Sequence, residues 1–174
     1  MLNPTTYKKL EKLGEGTFGR MFKVVDTTDG TLYAFKKETF KRDENGDIPE
    51  ECIRETLMLN DLIHPNIIRL HDVIYNKNHI YLVLEFIEWD LLKSSQRFYR
   101  YKNDEPLSPI KIKSYMYQIL QGIAYCHSQG IVHGCLAPHY IRLTNTDQVK
   151  LAKFCLSRKI GEHEKNNRIH VLWY

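Results

Sequence analysis

Three stretches of this 174-residue chain carry side chains of the kind that handle phosphate or protons. The first is Gly14-Glu15-Gly16-Thr17-Phe18-Gly19, where the absence of Cβ atoms lets backbone N–H groups close on an anion. The second is Lys36, at the end of Tyr33-Ala34-Phe35-Lys36. The third is His133-Gly134-Cys135-Leu136-Ala137-Pro138-His139-Tyr140, with Lys153-Phe154-Cys155 soon after. A G-x-G-x-x-G pattern is weak alone, because dinucleotide-binding folds use it before a helix. Here β-type residues follow at Met21–Val25, then a turn at Asp29-Gly30 and a third strand at Leu32–Lys37. Strand, glycine turn, strand points to a loop laid over nucleotide phosphates.

The elements that must position these groups are readable in order. Tyr7–Leu13 alternates weakly and leads into the glycines. Pro49–Ile63 has the spacing of a helix, with Pro49 at its first position and Ile53, Leu57, Leu59 and Leu62 on its apolar side. Ile67–Tyr75 and His79–Phe86 read as two further strands, joined at 76–78. Gln96–Leu107 is polar and tyrosine-rich, the composition of a loop. Ser108 then caps a helix with Pro109 at its first position, and Gly130 ends it. Ile112, Met116, Ile119, Ile123 and Ala124 recur at helical spacing as its core residues.

These motifs resemble those of the protein kinases, which carry a glycine loop, V-A-I-K on the third strand, H-R-D-L-x-x-x-N and D-F-G. The resemblance implies an α+β fold: a five-stranded antiparallel small lobe with one helix (1–86) and a mainly helical large lobe (87–174). It implies that Lys36 contacts the α- and β-phosphates of ATP and pairs with a helix glutamate. Pro-Glu-Glu-Cys-Ile-Arg-Glu (49–55), followed by His64-Pro65-Asn66-Ile67, resembles the cyclin-binding helix of cyclin-dependent kinases. Glu55 then matches the glutamate, and a cyclin-like partner would meet Glu50, Glu51, Ile53 and Glu55. Glu50 and Glu51 stand where small hydroxyls are usual, which leaves that partner open. Leu84 matches the gatekeeper, Glu85-Phe86-Ile87 the adenine-binding hinge, and Asp90-Leu91-Leu92 the short helix after it. Leu59, Leu70, His133 and Phe154 match the apolar column linking the lobes.

The chemistry departs from the family where the packing does not. Cys135 stands at the aspartate that takes the proton, Ala137 at the catalytic-loop lysine, Tyr140 at the metal-binding asparagine and Lys153 at the metal-binding aspartate. A general base alone contributes ~10²–10⁴ in rate, and a thiol with pKa near ~8.5 and a soft sulfur suits magnesium poorly. Around adenine, Ala34 is retained, Met21 replaces a valine, and Arg142 replaces the leucine below the base. ATP binding is therefore open and magnesium binding is not expected. If ATP binds, Lys153 would act as a fixed cation in place of the metal. Zinc on His133, Cys135 and Cys155 is the weaker account, since the spacing matches no zinc pattern.

Composition sets the remaining expectations. The chain is 43% hydrophobic and 26% charged, with a net charge of +4. Lys36-Lys37 and Lys41-Arg42 are short clusters, so no nucleic-acid partner is expected. No apolar run nears the ~18 residues of a membrane span, and no signal peptide stands at the start. Four cysteines without C-x-x-C spacing suit a reduced cytoplasmic or nuclear setting. The chain reads to Val171-Leu172-Trp173-Tyr174, resembling the end of an activation segment, with no Ser or Thr after Ser157. An incomplete large lobe would leave the 112–124 helix face for another protein to cover. The expectation is a truncated pseudokinase that acts by binding. The alternatives are a kinase with aberrant motifs and a decaying copy with no maintained role.

Overall fold

The computed structural model describes residues 6–16, 19–42, 44–76, 78–100 and 107–161, without the side chains of residue 51 and residues 96–100. The expectations for Thr17, Phe18, the side chain of Glu51 and the stretch 162–174 lie outside the described residues.

Strands β1 (Tyr7–Gly16), β2 (Gly19–Asp26) and β3 (Leu32–Thr39) form a meander. Helix α1 (Glu50–Asp61) follows, then β4 (Leu70–Asn76) and β5 (His79–Glu85). The sheet is antiparallel in the order β1-β2-β3-β5-β4, so β5 inserts between β3 and β4. The second half contains β6 (Trp89–Asp90), α2 (Leu91–Arg100), α3 (Pro109–Ser128) and β7 (Ile131–Val132). A 3-10 turn (Pro138–Tyr140), β8 (Ile141–Leu143), β9 (Val149–Leu151) and β10 (Arg158–Lys159) complete it. This is the α+β architecture with a five-stranded antiparallel sheet that the sequence implies.

Strand alternation sends one face of the sheet to each of two apolar layers. Ala34, Leu82 and Leu84 join Leu59, Leu62, Ile119, Leu151 and Phe154 in the main core. Val24, Phe35, Ile74 and Val83 form a second layer, edged by Tyr7, Phe22, Tyr33 and Tyr81. Tyr7 packs on Phe35 at 4.7 Å between ring centroids. Both faces of β5 are therefore covered, and Leu82 and Val83 are fully buried on opposite sides.

Four helical expectations need correction. Pro49 precedes α1 rather than entering it, because its backbone is extended, at φ −55° and ψ 136°. Leu57 is half exposed, while Met58, Leu59 and Leu62 carry the buried side of α1. The polar stretch from Gln96 is helical as far as Arg100: Asp90 accepts from the Lys93 N–H at 2.8 Å and so caps α2. In α3, Ile119 is buried and Ile123 partly so, but Ile112, Met116 and Ala124 are exposed. The buried stripe is Tyr115, Ile119, Gly122 and Cys126. It is narrow because Gly122 brings the helix close: a Cβ there would lie 2.8 Å from Leu151 Cδ1 and 3.1 Å from the Asn66 carbonyl.

The two halves meet at Asn66. Its Nδ2 donates to the Val149 carbonyl at 2.9 Å and to Gln118 Oε1 at 3.1 Å. That same Gln118 oxygen accepts from the Val149 N–H at 2.8 Å. Backbone bonds from Ile68 to Leu151 and from Leu151 to Asn66, each 2.8 Å, continue the seam. Asn66→Ala should lower stability by ~1–3 kcal/mol, the cost of stranding buried polar groups. Urea midpoints checking this should also show non-additivity with Gln118→Ala, since the two side chains share partners.

Candidate functional site

Lys36 sits on β3 opposite Met21 of β2 and Leu82 of β5. Glu55 reaches it from α1: Glu55 Oε2 accepts from Lys36 Nζ, and both side chains are buried. The other oxygen, Oε1, accepts from the Phe154 N–H at 2.9 Å. One carboxylate thus joins the sheet, the helix and the 153–155 turn. Glu38, two residues along β3 and on the same face, also meets Lys36 Nζ as an ion pair. Burial pulls the Lys36 ammonium down, but the two carboxylates outweigh it and hold it above the usual lysine range. Burial pushes the Glu38 carboxyl up, against the pull of Lys36. Sequence reasoning missed Glu38; the signal was the period of two along β3, which puts it beside Lys36.

The turn that Glu55 holds carries Lys153 in a left-handed backbone, φ 73°. Its Nζ lies over the Tyr140 ring, 5.6 Å from the centroid. Phe154 is fully buried and meets His133 edge-on at 4.5 Å. His133 Nδ1 accepts from the Cys135 N–H at 3.2 Å, so Nε2 carries the proton and donates to the Ala152 carbonyl at 3.1 Å. Both ring nitrogens are committed to backbone, and neither has a lone pair left for a metal. Burial holds His133 down at about 4, so it is neutral at pH 7. Leu59 and Leu70 belong to the core that receives Phe154.

Cys135 and Ala137 are buried. Burial pushes the Cys135 thiol up, outweighing the nearby Lys153 charge. The Cys155 thiol is pushed to about 11, again by burial. For both thiols burial favours the protonated form. Gly134 has φ 74°, and a Cβ there would meet the Leu156 carbonyl oxygen at 2.3 Å. Ser157 is fully buried, and its hydroxyl donates to the His133 carbonyl at 2.8 Å.

On the side expected to hold adenine, Ala34 pairs with Leu84 across β3 and β5, and both are buried. Met21 packs on the main core, and Ile87 lies at its edge. The Glu85 carboxylate accepts from the Arg69 N–H at 2.6 Å and pairs with Lys150 at 2.8 Å. Arg142 is not left unpaired: Asp90 Oδ2 lies 3.7 Å from its Nη1. Burial lowers the Arg142 guanidinium while Asp90 raises it. Gly14 and Gly16 end β1, and Gly16 pairs with Gly19 across the hairpin. Glu15 steadies that hairpin by accepting from Arg20 Nε at 2.7 Å.

Magnesium takes carboxylate and other oxygen ligands in octahedral geometry. The two positions that would face it carry a phenol, Tyr140, and an ammonium, Lys153, so this donor set does not fit the ion. Among the described residues no group of three or more His, Cys, Asp and Glu is arranged to hold a metal. No helix of the described residues is long and apolar enough to cross a membrane.

The family model of the protein kinase domain matches residues 7–174. The chain belongs to the protein kinase domain family.

Removing Glu55 strands the Phe154 N–H and leaves Lys36 to Glu38. Glu55→Ala should cost ~1–3 kcal/mol, the penalty for a buried polar group left without its partner, read as a shift in the urea midpoint. His133 gives a pH signature. Its folded value of about 4 lies below the unfolded ~6.5, so its neutral form stabilises the fold above pH ~6.5. That contribution is lost as pH falls toward 4. The stability of the parent relative to His133→Phe should therefore drop by about 3 kcal/mol between pH ~7 and ~4. Denaturation curves at those two pH values check it.

Proposed function

We propose that this chain is a catalytically inactive, cyclin-dependent-kinase-like domain that acts by binding rather than by phosphoryl transfer. The observation that carries the reading is the 153–155 turn. Glu55 anchors it through the Phe154 N–H, yet the side chain at the metal-binding position is the Lys153 ammonium, set over Tyr140. Phosphoryl transfer depends on positioned charge more than on covalent help. Here the sign of that charge is reversed at one ligand position, and no base stands at Cys135.

The kinship to cyclin-dependent kinases rests on residues 49–55 and on His64-Pro65-Asn66-Ile67. The latter forms a turn in which His64 Nδ1 accepts from the Asn66 N–H at 3.0 Å. A cyclin-like protein at α1 is the partner this implies. Glu50 is exposed there, while Ile53 is partly buried against the core. The exposed Ile110, Ile112, Met116, Tyr117 and Leu120 of α3 are a second face for a protein partner. Cytoplasmic or nuclear residence goes with this reading.

The intact Lys36–Glu55 pair is the observation on the side of the rival reading, an ATP-dependent serine/threonine kinase with aberrant motifs. Incubation with radiolabelled γ-phosphate ATP, magnesium and a generic Ser/Thr substrate separates the two. The expected outcome is no incorporation above background, in the parent and in Lys36→Met alike. Incorporation that Lys36→Met abolishes would replace this reading with the enzyme.

A further inference from the structure

Lys36 stands where the family directs an ammonium at nucleotide phosphates. In this chain that ammonium lies between two carboxylates, Glu55 Oε2 and Glu38 Oε1. The three side chains are only 6%, 4% and 9% exposed, in the order Lys36, Glu55, Glu38. Glu55 is held in place twice over, by Lys36 and by the Phe154 N–H. The Glu38 side chain is buried, and its Oε1 meets Lys36 Nζ. Its placement comes from the strand, since residues two apart on β3 share a face. A carboxylate so tethered competes for Lys36 as an intramolecular group, at an effective concentration no dissolved phosphate matches.

We propose that Glu38 is a specificity-determining residue that occupies Lys36 from within the protein and denies that ammonium to the phosphates of a nucleotide. The trio has one cation and two carboxylates, so an incoming polyphosphate meets a counter-charge already taken. In a site shielded from water, like-charge repulsion is far stronger than at the surface. A neutral nucleoside meets no such obstacle. A nucleotide that brings its phosphates to Lys36 is therefore disfavoured relative to the corresponding nucleoside. The inference rests on reading Lys36 as the phosphate-contacting lysine of the family. It does not rest on the absence of transfer: measured kinase activity would overturn the inactive reading and leave the affinities to decide this one.

The test is calorimetric titration of the full chain and of Glu38→Gln with ATP, in chelator, and with adenosine. Removing the Glu38 charge should tighten ATP binding by about tenfold or more while adenosine binding stays the same. ATP affinity unchanged, both affinities moving together, or no ATP binding by either protein would overturn the proposal. If Glu38→Gln does not melt cooperatively, Glu38→Leu is read the same way. If neither variant folds, the parent decides: adenosine bound as tightly as ATP or more tightly supports the proposal, and ATP bound about tenfold tighter overturns it.

Discussion

Glu55 has two carboxylate oxygens, and both are committed inside the protein. One takes the ammonium of Lys36 and the other takes the Phe154 N–H. A carboxylate withdrawn from water costs several kcal/mol, which only well-placed partners offset. The sheet, α1 and the 153–155 turn are thus held in one relation, because moving any of them leaves a buried charge exposed to an apolar surround. Phe154 follows from this. Once its N–H is fixed, the ring falls into the core with Leu59 and against the edge of His133. His133 in turn spends both nitrogens on the loops at Cys135 and Ala152.

The frame therefore needs one buried acid and a column of apolar groups. It does not need the groups that would move a phosphate. Cys135, Ala137 and Tyr140 occupy their positions as small or flat side chains that fit the space. Lys153 accepts a left-handed backbone to do so, an uncommon conformation for a residue with a Cβ. Shape and chemistry are separable here because packing is satisfied by volume and burial, whereas catalysis requires charge of a given sign at a given atom.

Much of the sheet was legible because period-two alternation and turn residues are local signals. Gly14–Gly19, the Asp29-Gly30 turn and the residues of β3 set the β1-β2-β3 meander with little help from distant contacts, whereas the insertion of β5 between β3 and β4 is a non-local pairing. Boundaries that depend on partners were not legible. Nothing local in Gln96–Arg100 says helix; the Asp90 cap and the packing of α2 decide it. The apolar spacing of α3 fits several stripes, and the one chosen depends on Gly122 meeting Leu151 from another element. Residue types were enough to expect Lys36 paired with Glu55. The Arg142–Asp90 pair and the second acid at Glu38 are contacts of geometry rather than motif, and Glu38 was visible only to someone counting faces on β3.

One glycine settles what the loop can become. Gly134 has a positive φ and lies so close to the Leu156 carbonyl that even a methyl group would collide with it. The family's motif has an arginine there. An arginine placed at 134 would find this position closed unless the Leu156 backbone withdrew first. Leu156 is followed by Ser157, whose buried hydroxyl is tied to His133 beneath the same loop. Gly134 thus behaves as a latch: the loop and the Leu156 backbone close on each other only while this position carries no side chain.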